Sequence, residues 1–233
     1  MTVIKRPQLP SFLAKADQAT ACRLYLFFGE RFLCRDACDQ VERALAVSAA
    51  TINRIDGDTE DPGQTLARLM TFSLLPGRQI YRVTDSRLFD AGGKKGKAKG
   101  NGVDEAVESD NQANAAEENE KSNNPALLAD MYTAALEKGF PTGHYLLLTC
   151  DNVDKRQRLF SWLKKSPVAI AVDCSVAAGA SAAAKNEQET VLRDVVAGRL
   201  AAFGKKIEAS AQKLLFDRAG FHPTAVAVEV EKL

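Results

Sequence analysis

The sequence predicts an α/β fold, a parallel sheet covered by helices, followed by a small all-helical section. Two patterns carry this. Five short strand-like runs, three of them almost wholly apolar, alternate with stretches whose apolar residues recur at helical spacing. Strands that alternate with helices pair in parallel and are covered on both faces. After Cys174 no further strand pattern occurs, and helical stretches continue to the last residue. A third observation explains why the alternation is interrupted. Residues 91–124 hold no aromatic residue, Leu, Ile or Met. Lys94, Lys95, Lys97 and Lys99 lie at the front, and acids from Asp104 to Glu120 follow. Such a segment buries too little apolar surface to offset its ordering entropy and is expected to be a disordered insertion.

Leu24 to Phe28 (LYLFF) is apolar throughout and ends at Gly29, as a buried strand does. Leu33, Ala37, Val41 and Leu45 then repeat every four residues and mark a helix. Thr51 to Ile55 is the second strand, and Asp56-Gly57-Asp58 is turn chemistry. Pro62 fits the first turn of a helix that carries Leu66, Leu69 and Met70. That helix is expected to run to Ser73-Leu74-Leu75, where Pro76-Gly77 stops it. Gln79 to Thr84 is the third strand. Beyond the insertion, Pro125 opens a helix with Leu127, Leu128, Met131, Ala135 and Leu136 as its apolar stripe, and Gly139 ends it. Tyr145 to Cys150 is the fourth strand. Val153 to Lys164 reads as a helix with Leu159, Trp162 and Leu163 inward, and Val168 to Val172 as the fifth strand. The expected division is an α/β domain over 1–176, a small-residue linker over 177–187 and a helical domain over 188–233.

Composition narrows the function. The 233 residues are 45% hydrophobic and 26% charged, which suits one large globular domain or two small ones. A net charge of +1 gives no strong electrostatic footprint for nucleic acid. No apolar run reaches the length of a membrane span, and the first residues lack the apolar core of a signal peptide. A cytoplasmic protein without membrane contact is expected. The five cysteines are odd in number and lack CxxC spacing, which speaks against a disulfide framework and against zinc. They are expected to be small buried residues. His144 and His222 lack obvious partners and are read as structural, so neither a metal site nor a cofactor is expected.

The first strand-turn-helix of such a fold is the natural phosphate site, because helix N-terminal amides point at it. A working phosphate loop there needs several glycines, then Lys and Ser/Thr. The chain offers Gly29-Glu30-Arg31-Phe32-Leu33-Cys34-Arg35 instead, and Glu30 would repel a phosphate. The third strand ends at Asp85 and the fourth at Asp151, neither followed by the Glu that would orient a water. Both aspartates are read as caps, and no nucleophile–base pair is found. No catalytic residue is therefore assigned.

Several segments taken in order resemble the bacterial DNA polymerase III delta subunit. They are Leu24–Glu30 (LYLFFGE), Ile55-Asp56-Gly57 and Phe72-Ser73-Leu74-Leu75-Pro76-Gly77-Arg78-Gln79. Leu147-Leu148-Thr149-Cys150-Asp151 with Asp154-Lys155-Arg156, and Val228-Glu229-Val230-Glu231-Lys232-Leu233, complete the set. The resemblance covers nearly the whole chain except the insertion. It implies an AAA+-like domain without a functional phosphate loop, then a helical lid. It implies a non-catalytic clamp-loader subunit that binds and opens the sliding clamp, the beta subunit. The implied partners are the other loader subunits and, through the complex, primed DNA. The parent assembly is the DNA polymerase III holoenzyme, a nucleotidyltransferase. The clamp contact would be made by Met70, Phe72, Ser73, Leu74 and Leu75. Here Leu75 stands where the family carries an aromatic, and Met70 where it often has Gln. Because the chain ends at Leu233, the family's collar domain is expected to be absent, as in a fragment. Two alternatives stay open: a nucleotide hydrolase with an atypical phosphate loop, and a DNA-binding module using Lys155, Arg156 and Arg158 against phosphates. Leu74 and Leu75 also admit a plain reading, as core residues closing a helix.

Overall fold

A computed structural model describes residues 3–46, 49–74, 76–89 and 125–232. The expected insertion at 91–124, and Leu75, lie outside the described residues. The sheet is built of β1 (Val3–Lys5), β2 (Leu24–Gly29), β3 (Ala50–Asp56), β4 (Arg78–Thr84), β5 (His144–Cys150) and β6 (Ala169–Cys174). Its order is β1-β6-β2-β5-β4-β3, and every pair is parallel. The register sets Leu26 of the central strand opposite Leu148 on one side and Ala171 on the other.

Alternation along β2 divides the core in two, since successive side chains point to opposite faces. Leu24, Leu26 and Phe28 face α4 (Pro62–Met70), α5 (Pro125–Lys138) and α6 (Arg158–Leu163), with Leu69, Tyr132, Leu159 and Leu163 buried among them. Tyr25 and Phe27 face α3 (Arg31–Leu45), packed on Leu33, Ala37, Val41 and Leu45 as the four-residue repeat predicts. Two short helices, α1 (Leu9–Leu13) and α2 (Ala16–Ala21), sit at the N-terminus. They and β1 carry no periodic signal long enough to read. Lys5 ties β1 to β6 through Asp173 at 3.0 Å.

The helical section consists of α7 (Ala182–Ala201), α8 (Ala209–Ala219) and α9 (Pro223–Glu231). Its own core is Leu192, Val196, Leu200, Val226 and Val230, while Val195 and Ala227 join the sheet core on the α3 face. Ser181 caps α7, its hydroxyl accepting from the Ala184 amide at 3.2 Å. The helix thus begins inside the stretch expected to be linker.

Three further expectations change. Helix α4 ends at Met70, not at Ser73: Thr71 is extended, and its hydroxyl turns back to the Ala67 carbonyl at 2.8 Å. Helix α6 starts at Arg158, not at Val153. The Asp154 carboxylate accepts from the Arg156 amide at 3.0 Å, a local turn that competes with helix. On α5 the buried stripe is Leu128, Ala129, Tyr132, Ala135 and Leu136, whereas Leu127 and Met131 face solvent. Trp162 is only half-buried and donates its indole N–H to Glu137 at 3.0 Å. All five cysteines are free and buried, as expected.

Candidate functional site

A parallel sheet has two distinct rims, and the predicted site residues separate between them. Helix α4 runs back from the end of β3 to the start of β4. Its C-terminus and the residues after it therefore sit at the rim where strands begin. Gly29, Asp85, Asp151 and residues 151–157 sit at the opposite rim. The rims are about 20 Å apart, roughly 3.3 Å per residue over seven-residue strands.

At the first rim the chain presents an apolar tip. Asp61 opens α4, its carboxylate accepting from the Gln64 amide at 3.2 Å, and Pro62 occupies the first turn. Leu66 and Leu69 hold the helix on the sheet. The last carbonyls of a helix have no partner within it, and here two side chains of the sheet rim supply donors. His144 Nδ1 lies 2.8 Å from the Leu69 carbonyl, and the Tyr81 hydroxyl donates to the Arg68 carbonyl at 3.3 Å. A carbonyl oxygen only accepts, so Nδ1 carries the proton. The chain then leaves the helix with Phe72 79% and Leu74 100% exposed. It re-enters the sheet at Gly77, whose φ is +105°; a Cβ there would lie 2.0 Å from the Ala49 carbonyl oxygen. Arg78 fixes the far side, donating to the Leu45 carbonyl at 2.7 Å. Of the predicted contact residues, Met70 packs partly on the core, and Phe72 and Leu74 project. Leu74 is not a core residue in this chain.

At the second rim the position of a phosphate loop is filled by the chain itself. Glu30 accepts from the Leu33 amide at 2.7 Å and so caps α3 with a carboxylate, where a phosphate would otherwise sit. Gly29 has φ +124°, and a Cβ on it would meet the Ser175 nitrogen at 2.4 Å; its freedom serves packing against β6. Arg31 grips Asp85 with two nitrogens, at 2.7 and 3.1 Å, and reaches Asp151 at 3.7 Å; Arg35 adds a contact to Asp85 at 3.3 Å. Asp85 and Asp151 are thus ion-pair partners of α3, not caps. The cleft of about 550 Å³ between the starts of α3 and α9 has Glu30 and Glu229 among its lining residues and no lysine or arginine. These residues do not fit a nucleoside triphosphate. The Cys34 thiol, buried against Cys174, is pushed up by its hydrogen bond to Cys174 and by burial, which leaves it a poor nucleophile.

The basic residues do not converge. Arg156 pairs with Asp154 at 3.1 Å, holding that carboxyl below its usual range, and Arg158 pairs with Asp130 at 2.9 Å. Lys155 lies over the Phe28 ring at 5.1 Å. The sequence reading missed His144 and Tyr81 as supports of the tip, and Arg31 and Arg35 as an ion clip. Arg31 and Arg35 carried a signal, two like charges one turn apart just after Gly-Glu. His144, a lone histidine before an apolar run, carried none.

No family model matches this chain, and no curated protein does. Among solved structures, the Bacillus subtilis DNA clamp loader delta protein superposes with a TM-score of 0.54. Its identity to this chain is 15%, and the match covers 96% of this chain and 56% of that one. The chain has the fold of a clamp loader delta protein. It spans a little over half the length of that protein. A Thermotoga maritima RuvB variant gives a TM-score of 0.45 at 11% identity, covering 97% of this chain and 59% of that one. The expected α/β fold, a parallel sheet covered by helices and followed by a helical section, is the fold observed. Among the described residues, no helix is long and apolar enough to cross a membrane, and no cluster of metal-ligating side chains occurs.

Proposed function

We propose that this chain works in clamp loading, as a delta-type subunit that binds a ring-shaped sliding clamp and helps to open it. In this reading it is mechanical, not catalytic. It acts with other loader subunits, and the assembled loader delivers the clamp to primed DNA. The observation that supports it is the tip: two large apolar side chains held largely in water at the end of a pinned helix, on a fold shared with a clamp loader delta protein. An exposed phenylalanine beside an exposed leucine in a short loop costs solubility and needs a reason. Insertion into an apolar pocket of a partner supplies one. Met70 precedes the two and Ser73 lies between them, and Leu75 belongs to the proposed contact on sequence grounds. Glu30 and the acid-lined cleft speak against nucleotide hydrolysis, and the paired arginines at 156 and 158 against a dedicated DNA grip.

The test is one double substitution, Phe72→Ala with Leu74→Ala. Burying each side chain fully is worth about 1.5–3 kcal/mol. Clamp affinity should therefore fall by roughly 10²–10⁴. The free chain should keep its unfolding free energy within about 0.5 kcal/mol, because both groups are already in water. Titration against the source organism's clamp reads the first quantity and urea unfolding the second. Wild-type affinity in the doubly substituted chain would end this reading.

A further inference from the structure

The tip is useful only if it is held out in a fixed direction, and the structure shows what holds it. Helix α4 delivers Phe72 and Leu74 directly after its last turn. A C-terminal turn whose carbonyls lack partners frays. Here the sheet donates to two of these carbonyls, those of Leu69 and Arg68, the latter also accepting from the Thr71 amide at 3.2 Å. His144 opens β5, is only 2% exposed, and donates from Nδ1 to Leu69; Tyr81 in β4 donates to Arg68. The two rings lie against each other, with centroids 5.6 Å apart. Neighbouring strands thus grip the last turn of α4 from below. Gly77 and Arg78 fasten the other end of the loop.

We infer that His144, assisted by Tyr81, is the positioning residue of the clamp-binding tip: it sets the direction of Phe72 and Leu74 without touching the partner. The inference rests on the clamp-binding reading. It explains why a polar imidazole stands, buried, at the start of a mostly apolar strand. Only a side chain with a donor at that reach satisfies the Leu69 carbonyl. Asparagine offers a similar donor on a shorter stem; leucine offers none.

Three variants of the full chain test it: His144→Leu, His144→Asn and Tyr81→Phe. One measurement needs no clamp. Exchange of the Leu69, Met70 and Thr71 amides should speed up about tenfold in His144→Leu, with sheet amides unchanged, and should return towards wild type in His144→Asn. The second measurement is affinity for the source organism's clamp, well below the melting temperature. His144→Leu should bind at least tenfold more weakly, Tyr81→Phe about threefold, and His144→Asn within threefold of wild type. Unchanged exchange and affinity in His144→Leu would overturn the inference, as would His144→Asn behaving like His144→Leu in both. If His144→Leu does not fold, Tyr81→Phe and His144→Asn decide the matter by the same criteria. The alanine variant at Phe72 and Leu74 separates the two claims. Its loss of clamp binding together with a silent His144→Leu overturns the positioning role alone. Its wild-type binding overturns the tip reading, while the exchange result still judges the hydrogen bond.

Discussion

Glu30 shows how one side chain changes what a fold can do. The start of α3 is the place where a phosphate binds in an α/β sheet, because several amides point outward there. A carboxylate from the chain itself takes that place, 2.7 Å from the Leu33 amide. Arg31 then fills the space in front by gripping Asp85 and reaching Asp151. The rim is thus closed by internal charges of both signs. Glu30→Ala should cost about 1 kcal/mol through the lost cap, read by urea unfolding. It should not create ATP turnover, because no lysine or hydroxyl side chain replaces what a phosphate loop needs. Steady-state phosphate release by the pure Glu30→Ala chain, absent from wild type, would contradict this account. The missing phosphate loop was legible in the sequence, since it depends only on residue types within seven positions. The partners of Asp85 and Asp151 were not, because Arg31 lies more than fifty residues before Asp85 and only the folded sheet brings them together.

Elements were legible where their period was long. α3 repeats its apolar residues every four positions over fifteen residues, β2 is apolar up to Gly29, and β5 is apolar through residues 145–148. Ends were less so. The apolar residues Leu74 and Leu75 prolong the helical pattern of α4 past Met70 in the sequence, yet Thr71-Phe72-Ser73 are weak helix formers and Thr71 bonds back on its own turn. α5 hid a different choice: with Leu127, Leu128 and Met131 all apolar, sequence alone did not say which face the sheet would cover. The tip itself was found in sequence only through its resemblance to a family, and its exposure came from the fold. Elements are also tied by charge. Arg82 on β4, nearly buried, holds Glu42 on α3 at 2.8 Å and also contacts Asp39. Arg82→Leu leaves Glu42 little exposed, with only Arg54 at 3.3 Å to answer it. It should cost about 3 kcal/mol, as breaking a buried pair does. Arg82→Leu combined with Glu42→Leu should recover most of that loss. A double-mutant cycle by urea unfolding checks this; purely additive losses would mean that the pair is not coupled.

At the scale of the whole molecule the question is whether the sheet and the helical section behave as one body. Under the proposed clamp-opening role, force passes only through parts that stay docked. Val195 on α7 and Ala227 on α9 are buried in the same cluster as Tyr25, Phe27 and Leu33, so the helical section shares the core of the α3 face. Arg199 on α7 adds a contact over the Phe32 ring at 5.7 Å and an ion pair to Glu231 at 3.3 Å. The helical core by itself is small: Leu192, Val196, Leu200, Val226 and Val230, with half-buried neighbours. A cluster of that size supports little independent stability. The chain should therefore unfold in a single cooperative transition, with calorimetric and van't Hoff enthalpies equal. Ala227→Asp places a carboxylate where only 2% of the residue meets solvent. That substitution should undock the section and split the transition in two, the helical part melting first. The tip at the far rim would be left in place, so clamp affinity at low temperature should change less than threefold. Two transitions already present in the wild-type chain would show that the sections are separate bodies, and a single sharp transition in Ala227→Asp would show that the shared cluster does not hold them together.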